Sequence, residues 1–81
     1  MQNDIYSRSR KLAAALENES INNAALAQEI TDAIDYSATS GEILMKLKFH
    51  INKILSDTGK YSSELVKLAL DIKNDIVKLI G

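Results

Sequence analysis

The side chains with the most chemical reach in this sequence are one histidine, His50, and the bases around it, Lys46, Lys48 and Lys53. A second basic run lies at Arg8-Ser9-Arg10-Lys11. A histidine can carry protons or hold a metal, and lysine and arginine can bind phosphate. Neither chemistry finds its other half here. Metal binding wants several ligands at set spacing, and the chain has no cysteine and no second histidine. There is no glycine-rich phosphate loop, and no nucleophile with a base in register. A DNA reader would gather its bases on one face of a recognition helix. Lys46, Lys48, His50 and Lys53 fall on different sides of theirs, without Arg or Gln beside them. The Arg8–Lys11 run reads as a solvated helix face. The sequence therefore nominates no catalytic, cofactor or metal residue and no nucleic-acid partner, and it reads as a non-enzymatic protein.

The elements that carry these residues are bounded by composition. With 81 residues, one helical domain spanning 1–81 is expected, with a single small core. The chain is 46% hydrophobic and 26% charged and has no Pro, Trp or Cys, so that core has to stand on packing alone. No apolar run is long enough to span a membrane, and the first ten residues, MQNDIYSRSR, lack an apolar signal region. The expected location is the cytoplasm, in part at the inner membrane surface. The net charge of −1 hides an asymmetry. Residues 1–40 carry three bases against six acids, and residues 41–81 carry seven lysines against five acids. The second half is the better match for an acidic or anionic partner.

Hydrophobic spacing is helical throughout and predicts four helices, at about 3–17, 21–36, 40–57 and 62–80. Asn3 or Asp4 can cap the first, whose apolar face is Ile5, Leu12, Ala15 and Leu16, and Glu17-Asn18-Glu19 breaks its pattern. Ser20 can cap the second, which buries Leu26, Ala27, Ile30, Ala33 and Ile34. Thr39-Ser40-Gly41-Glu42 reads as a capping box for the third, with Ala38 and Ile43 as a weak staple. Its ridge is Ile43, Leu44, Leu47, Ile51, Ile54 and Leu55, and Gly59 is placed to take a left-handed turn after it. Met45 and Phe49 lie off that ridge. They are expected to be covered by another helix, the first, with an exposed anchor for a partner as the alternative. Ser62 can cap the fourth helix, with Tyr61 and Val66 as its staple. The short connections predict an all-α, antiparallel up-down-up-down four-helix bundle.

The fourth helix is apolar over more than half its circumference. Leu65, Leu68, Ala69, Ile72, Ile76 and Leu79 form one stripe, and Val66, Leu70 and Val77 a second. A bundle helix needs an apolar sector of only about 100°. Either this helix is central, or the second stripe faces a partner, a membrane surface or a second copy.

Taken together, Asn18-Glu19-Ser20-Ile21, the amphipathic run Ile43–Lys53, Asp57-Thr58-Gly59 and Ser62-Ser63-Glu64 resemble the immunity proteins of pediocin-like (class IIa) bacteriocins. The likeness covers about residues 5–75. It is a pattern of helix lengths and turns, with a basic residue at Lys46 and an aliphatic one at Ile51. The chain departs from that family in ending at Ile80-Gly81, where many members extend further, and in being mildly acidic. The resemblance implies a cytoplasmic bundle that protects a producing cell from its own bacteriocin. Its implied partner is the set of membrane components of the mannose phosphotransferase system with bacteriocin bound, and its C-terminal half would choose the bacteriocin. Lys60, Tyr61, Lys67, Leu70, Asn74, Val77 and Lys78 are the contact residues expected from position. Two other readings stay open: a small homo-oligomeric helical adaptor or regulator that dimerises through Val66, Leu70 and Val77, and, behind it, a DNA-binding regulator.

Overall fold

The computed structural model describes residues 4–80. Four helices, α1 (Ile5–Glu19), α2 (Ala24–Asp35), α3 (Ser40–Leu55) and α4 (Ser63–Ile80), form an antiparallel up-down-up-down bundle. They stand in a ring, with α1 against α2, α2 against α3, α3 against α4, and α4 back against α1. The long dimension of 30 Å is set by the longest helix, since α4's 18 residues span about 27 Å at 1.5 Å per residue.

Three of the four helices, α1, α3 and α4, start where a polar side chain accepts from an orphan amide N–H. Asp4 accepts from the Ser7 N–H at 3.1 Å and caps α1; Asn3 lies outside the described residues. Thr39 accepts from the Glu42 N–H and Ser62 from the Leu65 N–H, each at 3.1 Å. Ser20 accepts from the Asn22 N–H, but it opens a 3₁₀ turn, Ile21–Asn23, so α2 proper starts later than the spacing predicts. The capping box is also only half formed. Glu42 reaches one residue further than expected, to the Ala38 N–H at 3.2 Å, while its other oxygen is held by Lys46 at 2.9 Å.

Helix ends differ more. Glu17-Asn18-Glu19 does not break α1 but extends it. The Ser20 N–H closes on the Leu16 carbonyl, and Glu19 accepts from the backbone N–H of Ser62 at 3.1 Å and from its hydroxyl. That bond fixes the end of α1 to the start of α4, where a carboxylate also meets the positive end of the helix dipole. The third helix stops at Leu55, short of position 57, as the Ser56 hydroxyl donates to the Lys53 carbonyl at 2.9 Å. Gly59 is not left-handed. It sits inside a second 3₁₀ turn, Thr58–Lys60, where a side chain would meet open space.

The core is aliphatic. Leu12 and Leu16, Ile30, Leu47, Ile51 and Ile54, and Ile72 and Ile76 are fully buried, with Ala13, Ala27, Ala33 and Ala69 letting the helices approach closely. Each buried Leu or Ile contributes about 1.5–3 kcal/mol relative to exposure. Two expectations fail here. Leu79, assigned to the buried stripe of α4, is 65% exposed at the end of the bundle. Met45 and Phe49, expected to lie under the first helix, are 66% and 61% exposed, because the ring places α1 diagonally opposite α3.

The Arg8-Ser9-Arg10-Lys11 run is a solvated face only in part. Arg8 is mostly buried and donates to Asp71 at 2.6 Å and to Asp75, both on α4. Arg10 pairs with Asp35, at the end of α2, at 2.6 Å. Arg10, despite that pair, and Lys11 are exposed and match the expectation of side chains in solvent. Ser9 lies in the core, its hydroxyl without a hydrogen-bond partner.

Two outcomes follow. Arg8→Ala, which leaves Asp71 unpaired and Asp75 with only Lys78, should cost about 1–2 kcal/mol in urea unfolding at low salt, with a smaller loss at high salt. Ser9→Ala removes an unpaired hydroxyl from the interior of a helix and should raise stability by about 1 kcal/mol. A lowered urea midpoint for Ser9→Ala would show that the hydroxyl is satisfied.

Candidate interaction surface on α3 and α4

The buried stripe of α4, Leu65, Ala69, Ile72 and Ile76, points into the bundle and leaves two flanks. One faces α1. Asp71 and Asp75 lie on it, bound to Arg8, and at 3.6 residues per turn Glu64 shares it. The other flank faces α3 and carries Val66, Leu70, Lys73, Val77 and Ile80. Leu70 is 47% exposed, Val77 and Ile80 are 38% exposed, and Val66 and Lys73 are half-buried. The second apolar stripe of α4 is therefore on the surface, which resolves the choice between central burial and exposure.

Across from it, α3 turns Gly41, Met45, Lys48 and Asn52 toward α4. These residues, with Phe49 and Ile80, line one open groove between the two helices. Phe49 stands at its outer edge, with the Lys53 ammonium 4.9 Å from the ring centroid. Lys53 is also 3.4 Å from Glu29 of α2, so this cation is held in place from behind. The single carboxylate of α3, Glu42, is occupied by Ala38 and Lys46. The α3–α4 face is thus apolar and basic, and no carboxylate of either helix lies on it.

Of the contact residues expected from sequence, Lys67, Leu70, Asn74, Val77 and Lys78 share one outward sector of α4, roughly 100° wide. All five are exposed, and Lys78 is 3.9 Å from Asp75. The other two are set apart. Lys60 lies in the turn before α4, 3.6 Å from Asp57, and Tyr61 is half-buried against the core. The groove-lining Met45, Lys48, Phe49 and Ile80 are not among the contact residues expected from position, although Met45 and Phe49 correspond to the exposed-anchor alternative. Their signal was available in the off-ridge placement of Met45 and Phe49, whose exposure depends on which helix is diagonal to which.

His50 sits on the other side of α3, against α2. Its side chain is 14% exposed, with Nδ1 3.4 Å from Glu29, and Asp32, Tyr36 and Lys46 line the same cleft. Burial pushes its pKa below the ordinary 6.5. Glu29 opposes that shift, and Lys53 and Lys46 add to it. Among the described residues, no three His, Cys, Asp or Glu side chains group as a metal site.

A depressed histidine binds fewer protons folded than unfolded. Its contribution is complete above the ordinary histidine value and is lost as pH falls through the lowered one. Stability should therefore decline on acidification from neutral pH, and His50→Gln should flatten that decline. An unchanged slope in urea midpoints across this range would remove His50 as its source.

No protein-family model, curated protein or solved structure matches this chain.

Proposed function

We propose that the chain is a non-enzymatic helical binding module that serves as an immunity protein of the pediocin-like bacteriocin kind. It works by contact with membrane components of the mannose phosphotransferase system that carry bound bacteriocin. The observation that carries this reading is the outward face of α4, where Leu70 and Val77 are solvent-exposed among Lys67, Asn74 and Lys78. Apolar side chains gathered on a surface, rather than scattered singly, mark contact sites. The helix lengths and turns that give the family likeness support the same reading. No helix among the described residues is long and apolar enough to cross a membrane, so contact with a membrane complex would be made from one side, the cytoplasmic side on this reading.

The test is expression in a bacterium sensitive to pediocin-like peptides, challenged with a panel of them. Protection against at least one peptide is expected. Leu70→Asp and Val77→Asp should each abolish it while helicity by circular dichroism is retained, because neither side chain is in the core. Unaltered sensitivity across the whole panel would sink the immunity reading. The alternative, a homo-oligomeric adaptor using Val66, Leu70 and Val77, predicts a tight dimer by sedimentation that Val77→Asp dissociates.

A further inference from the structure

We infer that the groove between α3 and α4 is a seat for an amphipathic helix with acidic flanks, presented by another protein. The inference rests on reading the chain as a binding module and names the chemistry of its partner. Three observations select this occupant. The floor and outer wall of the groove are apolar, formed by Met45, Phe49 and Ile80, with methionine the most adaptable side chain for seating a foreign surface. Lys48 lines it and Lys73 lies on the α4 flank that faces α3, and neither has a carboxylate partner among the described residues, unlike Lys46, Lys53, Lys60 and Lys78. The acids of α4 that could have answered them are turned away to Arg8.

The same facts weigh against two other occupants. A second copy docked about a two-fold axis would bring one lysine rim against another, with no carboxylate of α3 or α4 between them. A flat lipid surface would rest on Met45 and Phe49, the most exposed apolar pair of this groove, and leave the furrow between the helices unfilled. A rod about 10 Å across, lying along two antiparallel helices, fills it. Such a helix would place aliphatic side chains between Met45 and Ile80 and carboxylates against Lys48 and Lys73.

The experiment uses the whole chain, isotope-labelled, and two synthetic peptides of about 18 residues, a length that spans the bundle. One has leucine along one face and glutamate along the other. The second has lysine in place of glutamate. The acidic peptide should bind about tenfold or more tighter, with amide shifts centred on Met45, Lys48, Phe49, Lys73 and Ile80. Phe49→Ser should weaken it about tenfold with helicity unchanged, since Phe49 is exposed. Lys48→Glu combined with Lys73→Glu should reverse the preference toward the lysine peptide.

Equal affinity for the two peptides, or shifts confined to α1 and α2, overturns the proposal. So does binding to phosphatidylglycerol vesicles without peptide binding, or a dimer by sedimentation that Phe49→Ser dissolves. The two readings fail separately. Loss of peptide binding in Phe49→Ser with bacteriocin protection intact removes the groove and leaves the immunity reading. Peptide binding as described, in a chain that protects against no bacteriocin, removes the immunity reading and leaves the groove.

Discussion

The bundle depends on how α4 is rotated about its own axis, a rotation set by its buried stripe and reinforced by the Arg8 guanidinium. A helix that is apolar over more than half its circumference can bury several sectors at similar gain, so hydrophobicity alone leaves its orientation loose. Arg8 removes the ambiguity by holding Asp71 and Asp75 one turn apart on the same flank. Its own charge is favoured in return, first by the hydrogen bond to Asp75 and, against the opposing desolvation, by Asp71. With the acids pinned toward α1, Leu65, Ala69, Ile72 and Ile76 turn inward, and the remaining aliphatics and lysines fall toward α3 and the solvent. One guanidinium, paired with two carboxylates, thereby separates the structural side of α4 from the side available to a partner.

The seam between α1 and α4 is unlike the other three. Helices α1 and α2, α2 and α3, and α3 and α4 are joined by short connections and would meet in any hairpin. Contact between α1 and α4 must be specified by side chains far apart in the chain, and it is secured at two points. Arg8 bridges to α4 across 63 and 67 residues, and Glu19 holds Ser62 across 43. Charge-assisted bonds suit this task because they reward one register over its neighbours, which an aliphatic interface of Leu, Ile and Ala does less sharply. The charge asymmetry of the two halves does not describe this link, which runs from a base in the acidic half to acids in the basic one.

What the sequence made legible was local. Thr39 and Ser62 are read correctly as capping residues because a cap depends only on the next two or three amides, whereas Ser20 caps a 3₁₀ turn ahead of α2 rather than α2 itself. The ridge of α3 and the inner stripe of α4 follow from spacing, except where the chain reaches the end of the bundle at Leu79. What stayed hidden depended on neighbours in space. Arg8 reads as solvated until α4 is beside it. Gly59 suggests a left-handed stop, yet Ser56 and the Thr58–Lys60 turn end the helix without one. For the candidate surface, the α4 half was legible from its second stripe. The α3 half was not, because covering Met45 and Phe49 requires α1 next to α3, and the ring sets them diagonally.

The aliphatic interior has a spectroscopic consequence. No aromatic ring lies in the core; Tyr6 and Tyr61 rest at its margin, Phe49 and Tyr36 project outward, and there is no tryptophan. Intrinsic fluorescence is therefore a poor reporter of the collapse of the interior and a good one of events at the surface. A tryptophan introduced for folding studies would have to replace an aliphatic residue and crowd its neighbours. The same ring at position 49 would sit in open water beside the Lys53 ammonium, as a beacon for whatever approaches that side of the molecule.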